Sequence, residues 1–181
     1  MKIGLIGAQG VGKTTLLNAL ANERCFKNYA VCDEVTRWVR EFNLAINEDG
    51  NDQTQELIAL KHIYNIRMHP KMITDRTMLD CLVYTRWLHE NNKVSDKCLS
   101  HMQLIFDTIW SDYDYTFYIE PEFDIEDDGV RSTNLSFRDR IVKLFDQALF
   151  EDVWEEENCY RIGGSVQERV DRIKQIIGIN Y

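Results

Sequence analysis

Gly7-Ala8-Gln9-Gly10-Val11-Gly12-Lys13-Thr14 satisfies G-x-x-x-x-G-K-[ST] in full. Glycines at this spacing let the backbone curl until successive N–H groups point inward at phosphate oxygens, helped by the partial positive charge of a helix start. Lys13 would then reach the β- and γ-phosphates, and the Thr14 hydroxyl would face Mg²⁺. The loop therefore predicts a site for ATP and Mg²⁺ built from Gly7, Gln9, Gly10, Val11, Gly12, Lys13, Thr14 and Thr15. A chance match in a chain of this length is on the order of one in a hundred. Context lowers that further, because Ile3-Gly4-Leu5-Ile6 reads as a strand before the loop and Thr15 to Leu20 as a helix after it.

Phosphoryl transfer also needs cations around the moving group and a carboxylate that positions the attacking hydroxyl and takes its proton. Glu34 is the candidate base, with Asp33 beside it as the alternative, since side chains alternate along a strand and only one of the pair should face a cleft. Both also suit the cap of a following helix. Asp75 closes another strand-like run and is expected near Mg²⁺, directly or through water. Arg76 is a candidate for acceptor or donor phosphate, and Arg37, one turn after Glu34, for the acceptor or for an ion pair with Glu34. Arg131 would bring a guanidinium down between donor and acceptor if its segment closes as a lid.

These residues need elements to hold them. Short apolar runs at Lys2–Gly7, Tyr29–Asp33, Met72–Asp75, Tyr115–Ile119 and Cys159–Ile162 alternate with longer stretches of helical period, the pattern of a parallel sheet covered by helices. One such stretch carries Phe137, Ile141, Leu144, Phe145, Ala148 and Leu149 on one face, and the last helix is expected from a Ser165 cap to a stop at Gly178. Residues 120–136, with Pro121, the acidic run Asp124 to Asp128 and Gly129, read as a lid. Trp38, Phe42, Tyr64, Trp87, Phe106 and Trp110 fall at helical spacings and read mostly as core, and the four histidines as surface residues. Leu99, Met102, Phe106 and Ile109 form an apolar face for the core or for a homodimer.

The chain has 181 residues, 44% of them hydrophobic, enough for one domain with a continuous core. A formal net charge of -9 provides no general field for polyanions, so contact with DNA is not favoured and would have to be local. The five cysteines form no C-x-x-C pair and no cluster with histidine, which argues for free thiols. Neither a leader nor a membrane span is expected, which implies a cytoplasmic protein without a membrane partner. No N-K-x-D guanine-reading segment occurs, the nearest being Asn92-Lys93-Val94-Ser95, and Asp75-Arg76 stands where a motor ATPase would have Asp-Glu.

Three blocks together resemble the small P-loop nucleoside and nucleotide kinases: thymidylate kinase, deoxynucleoside kinase and nicotinamide riboside kinase relatives, including the AAA_28-like group. Ile73-Thr74-Asp75-Arg76 looks like their Asp-Arg motif after the third strand. Asp33-Glu34-Val35-Thr36-Arg37 is similar to the acidic end of their second strand, and Asp127-Asp128-Gly129-Val130-Arg131 to the Asp-Gly-x-Arg of a lid. The resemblance implies a three-layer α/β fold with a five-stranded parallel sheet in order 2-3-1-4-5. It implies Asp75 at the Mg²⁺ shell, Arg76 facing phosphate, and Asp33 or Glu34 as the acceptor-side carboxylate. It further implies Gly164, in Gly163-Gly164-Ser165, where similar kinases pass backbone along the adenine ring. The expected activity is transfer of the γ-phosphoryl group of ATP to a nucleoside, nucleoside monophosphate or related acceptor. The alternatives are a kinase acting on a hydroxymethylated base in DNA, and a nucleotide-binding ATPase or switch acting on a partner.

Overall fold

The computed structural model describes residues 1–121, 134–151 and 158–179. Five parallel strands, β1 (Lys2–Ile6), β2 (Ala30–Cys32), β3 (Met72–Asp75), β4 (Tyr115–Ile119) and β5 (Cys159–Ile162), form a sheet in the order β2-β3-β1-β4-β5. Each coincides with an apolar run read from the sequence, and the order is the expected one. β1 stops one residue early, because Gly7 leaves the extended region with a φ of 139°. The three central strands are buried almost throughout, as continuous apolar runs covered on both faces should be, whereas the edge strands β2 and β5 are only partly buried.

Seven α-helices are present among the described residues: α1 (Lys13–Asn22), α2 (Val35–Arg40), α3 (Asp52–Met68), α4 (Met78–Glu90), α5 (Asp96–Ile109), α6 (Leu135–Glu151) and α7 (Val166–Ile176). Several begin where side-chain chemistry dictates. Asn51 caps α3 by accepting from the Thr54 amide at 3.1 Å, and Ser95 caps α5 by accepting from the Cys98 amide at 3.1 Å. Thr77 with Asp80 and Ser165 with Glu168 form capping boxes at the starts of α4 and α7. The predicted apolar face of α6 is buried along its whole length.

Strand register aligns the segments that carry the candidate residues. Leu5 of β1 lies opposite Asp75 of β3, and Cys32 of β2 opposite Thr74. The carboxyl ends of β2, β3 and β1 therefore finish side by side, and the segments leaving them share one rim of the sheet.

Some residues depart from expectation. Phe42 and Tyr64 are half or more exposed, because α2 ends at Arg40 and the outer face of α3 has no covering layer among the described residues. His62, read as a surface residue, is buried on the inner face of α3. The apolar face of α5 packs against α4 and α3, with Met102, Phe106 and Ile109 buried in the core. Of the predicted lid, 120–136, residues 122–133 lie outside the described residues, Asp127 to Arg131 among them, while Leu135 and Ser136 open α6 and do not belong to a loop. No helix among the described residues is long and apolar enough to cross a membrane.

Candidate active site

The phosphate loop is built at the point where β1 runs off the sheet. A β-carbon on Gly7 would stand 2.9 Å from the Ile119 carbonyl oxygen, so only glycine fits that turn. Gly12, in the left-handed region at φ 88°, ends the loop as the N-cap residue of α1. Lys13 is buried beneath the loop, and its Nζ donates to the carbonyl oxygens of Gly7 and Ala8, each at 2.6 Å. Burial, and then the charge of Arg76, lower its pKa to about 8 against the opposing pull of Asp75, Asp80 and Glu34. A phosphate in the cradle would compete with those two carbonyls for the ammonium. Gln9 is also buried; its Oε1 accepts from the Tyr84 hydroxyl at 2.8 Å, while its Nε2 has no hydrogen-bond partner. Thr15 is exposed on α1.

Side-by-side strand ends bring the predicted acidic and basic residues to this loop. The Thr14 hydroxyl donates to Asp75 Oδ2 at 2.5 Å, and Asp75 Oδ1 is buried with no hydrogen-bond partner. Burial raises the pKa of Asp75, with Lys13 opposing and Glu34 reinforcing the shift. A hydroxyl and an underused carboxylate oxygen are hard donors of the kind Mg²⁺ takes when it is bound by one or two protein oxygens, substrate phosphates and water. Among the described residues no group of three or more His, Cys, Asp or Glu forms a dedicated metal cage. Asp75 does not cap α4, a role taken by Thr77.

Arg76 is the centre of the site. It adopts φ 78°, unusual for a residue with a side chain, and is held there from several directions. Its amide donates to the Leu5 carbonyl at 2.9 Å, Nε donates to Glu34 Oε1 at 2.7 Å, Nη1 lies 3.6 Å from Asp80 Oδ1, and the guanidinium stacks 4.9 Å from the Tyr84 ring. Burial alone would lower its pKa, but Tyr84, Glu34, Asp80 and Asp75 hold it well above the ordinary value. Glu34 stands at the N-cap position of α2 without capping it, its carboxylate being turned to Arg76. Arg37 Nε lies 3.7 Å from the other Glu34 oxygen, while Asp33 is exposed. Of the adjacent acids, only Glu34 thus reaches the buried cluster.

Behind Arg76 lies a narrow cavity of about 20 Å³, room for about one water, lined by Val35, Gln55, Ile58, His62, Cys81 and Tyr84 among others. Gln55 Oε1 accepts from the Thr85 hydroxyl at 3.1 Å. His62 Nε2 is buried without a hydrogen-bond partner, and burial followed by Arg76 lowers its pKa to about 3, which keeps the imidazole neutral. A second, wider groove is lined by Thr14, Asp33, Glu34, Arg37, Trp38 and Lys61, whose ammonium lies 5.2 Å from the Trp38 ring and 4.6 Å from that of Tyr64.

The structure thus gathers Lys13, Thr14, Glu34, Asp75 and Arg76 into one connected cluster and places Arg37 at its edge. Gly164 occupies the turn between β5 and α7 at φ 89°, and Arg131 lies outside the described residues. Sequence reasoning passed over Asp80, Tyr84 and His62. Asp80 is the most informative, since one oxygen completes the capping box with the Thr77 amide at 2.8 Å while the other accepts from the Gly7 amide at 3.3 Å. The T-x-x-D spacing announces the cap, but nothing local announces the reach to Gly7, 73 residues away.

No curated protein matches the chain. Among solved structures, deoxyadenosine kinase from M. mycoides with products dCMP and dCDP matches with a TM-score of 0.63 and 14% identity over 98% of each chain. Thymidylate kinase from Candida albicans matches with a TM-score of 0.65 and 15% identity, over 98% of this chain and 90% of its own. NadR protein in complex with NR matches at 0.74 and 16% identity, over 99% of this chain but only 52% of its own. The family model described as AAA domain, AAA_28, matches residues 2–169, nearly the whole described chain. The chain therefore belongs to the AAA_28 family, with the fold shared by the P-loop nucleoside and nucleotide kinases.

Proposed function

We propose that this protein is an ATP-dependent kinase that transfers the γ-phosphoryl group to a hydroxyl of a nucleoside, a nucleoside monophosphate or a closely related acceptor. The observation that carries this reading is the buried Glu34–Arg76 pair at 2.7 Å, with Glu34 in the wall of the wide groove that Thr14 of the phosphate loop also lines. A transferase needs a carboxylate and cations at the wall of a groove that can admit an acceptor beside the phosphate loop, and this groove has both.

In this reading the loop amides and Lys13 hold the triphosphate, and Thr14 with Asp75 would hold Mg²⁺. The metal, when bound, neutralises charge on the transferring phosphate. The acceptor enters the wider groove, of about 640 Å³, that Thr14, Glu34 and Arg37 line, with its hydroxyl toward Glu34, whose carboxylate takes the proton as the new bond forms. Arg76 is positioned to leave Glu34 for anionic oxygens of the acceptor or of the moving group, and Arg37 supplies a second cation at the same edge. The sugar or base packs against Val35, Trp38 and Tyr64 of that groove, with Lys61 as a polar contact. The structurally similar proteins include a deoxyadenosine kinase and a thymidylate kinase, which supports this acceptor class.

The test incubates purified protein with labelled ATP, Mg²⁺ and a panel of nucleosides, nucleoside monophosphates, nicotinamide riboside and DNA carrying hydroxymethylated bases. ADP formed in step with one phosphorylated acceptor, and lost by at least ~10²-fold in Lys13→Ala, is the expected result. ADP formed with no phosphorylated acceptor would favour the switch. A product formed only on DNA would move the acceptor class to a polymer.

A further inference from the structure

Arg169 lies one turn into α7 and is 1% exposed, yet it belongs neither to the Glu34–Arg76 cluster nor to the pockets beside it. Its Nη1 donates to the Val11 carbonyl oxygen at 2.9 Å, across 158 residues of sequence. The same Nη1 is the heavy atom nearest to where a β-carbon on Gly12 would stand, at 3.5 Å. The guanidinium is therefore packed directly against the Val11–Gly12 peptide, at the turn into α1.

That contact orients the loop backbone. Among the described residues every peptide bond is trans, and in a trans peptide the carbonyl and the N–H point in opposite directions. A Val11 carbonyl held outward on Arg169 directs the Gly12 N–H to the opposite side, into the cradle. The next carbonyl is committed as well, since Gly12 accepts from the Leu16 amide at 3.0 Å as the first bond of α1. Both peptides flanking Gly12 are thus oriented from behind, one by the helix and one by a buried cation. Glycine at φ 88° has little stiffness of its own, so the orientation has to be imposed from outside.

The support behind Arg169 is rigid. Its amide donates to the Ser165 carbonyl at 3.0 Å within a capped helix, and the other end of α7 is tied to the end of α1 by Lys174 and Glu23 at 2.8 Å. α7 is thus fastened to α1 at both ends, and the Gly163-Gly164 turn is joined to the phosphate loop through one element.

We propose that Arg169 is a positioning residue for the phosphate loop: it fixes the Val11–Gly12 peptide so that the Gly12 amide is presented to a polyphosphate. This rests on the reading of the loop as a phosphate site. The experiment titrates inorganic tripolyphosphate and ATP, each with Mg²⁺, into wild type, Arg169→Lys, Arg169→Gln and Lys174→Ala. Affinities are corrected for the folded fraction measured by thermal unfolding. Arg169→Gln loses the reach to Val11 and should bind tripolyphosphate about tenfold more weakly or worse. Arg169→Lys keeps the charge without the planar fork and should lose roughly threefold. Lys174→Ala, which loosens α7 at its far end, should lower the unfolding temperature without changing affinity. In wild type the Gly12 amide resonance should shift on addition of tripolyphosphate, and in Arg169→Gln that shift should shrink. If Arg169→Gln does not fold, Arg169→Lys decides by the same criterion. Affinities unchanged in the folded Arg169 variants, or lowered equally in Lys174→Ala, overturn the inference while the loop's function stands. Wild-type protein that takes up neither probe overturns the reading of the loop and this inference with it.

Discussion

Glu34 is shared between Arg76 at 2.7 Å and Arg37 at 3.7 Å, so its carboxylate is aimed before any acceptor arrives. Removing its charge while keeping its shape isolates the proton-accepting role. Glu34→Gln should bind ATP within about twofold of wild type and transfer the phosphoryl group roughly 10²- to 10⁴-fold more slowly, as read from calorimetry and single-turnover kinetics. An undiminished rate would remove Glu34 from the role of base. Lys13 allows a second test. Its ammonium donates to two carbonyls, burial and then Arg76 lower its pKa to about 8, and a bound polyphosphate would raise that value. Nucleotide binding near pH 8.5 should therefore take up a fraction of a proton, visible as a dependence of the binding enthalpy on the ionisation enthalpy of the buffer. Enthalpies that do not vary with buffer would mean that Lys13 does not change its environment.

At the scale of elements, the site depends on how closely β1 approaches the turn that follows β3. Gly4 of β1 has no side chain because Thr77, the cap of α4, fills the space: a β-carbon there would stand 2.4 Å from Thr77 Cγ2. Gly4→Ala should destabilise the fold by about 1–3 kcal/mol and disturb the turn that holds Arg76 at φ 78°. Thr77→Ser keeps the capping hydroxyl but removes the clashing methyl. The double variant should recover most of the loss in urea unfolding, and purely additive costs would show that the two residues do not press on each other.

For the whole molecule, buried ionisable groups set the response to acid, and two of them act in opposite senses. His62 has its pKa lowered to about 3 by burial and then by Arg76, so between the ordinary histidine value and about 3 the unfolded chain binds the extra proton and stability falls as pH falls. Asp80 has its pKa raised to about 6, chiefly by burial, so between about 6 and the ordinary aspartate value the folded chain binds the extra proton and stability rises as pH falls. Burial also raises the pKa of Asp75, which acts in the same sense as Asp80, so the His62 contribution is read as a difference between wild type and a His62 variant. Between pH 7 and pH 5 the His62 contribution amounts to about 2 kcal/mol, and His62→Gln should lose that much less than wild type over the same interval. Equal losses in urea unfolding at the two pH values would mean that His62 is not held neutral in the fold.

The sequence by itself carried what depends on neighbours along the chain. The phosphate loop is contiguous, and its Gly-Lys-Thr spacing is the chemistry. Apolar runs of strand length delimited the five strands to within a residue or two, and the Ser165 cap of α7 followed from short-range pairing. What the tertiary structure decided are the contacts between segments far apart. Asp33 and Glu34 are equivalent as letters, and the register of β2 against β3 leaves one exposed and buries the other against Arg76. His62 carries the same period as its exposed neighbours on α3, and the packing of that helix against α2, α4 and α5 buries it. Asp80 and Arg169 meet the phosphate loop across 73 and 158 residues, and no local pattern records a partner at that distance. Packing chose these contacts because a buried carboxylate or guanidinium has to find a compensating group wherever the fold brings one within reach.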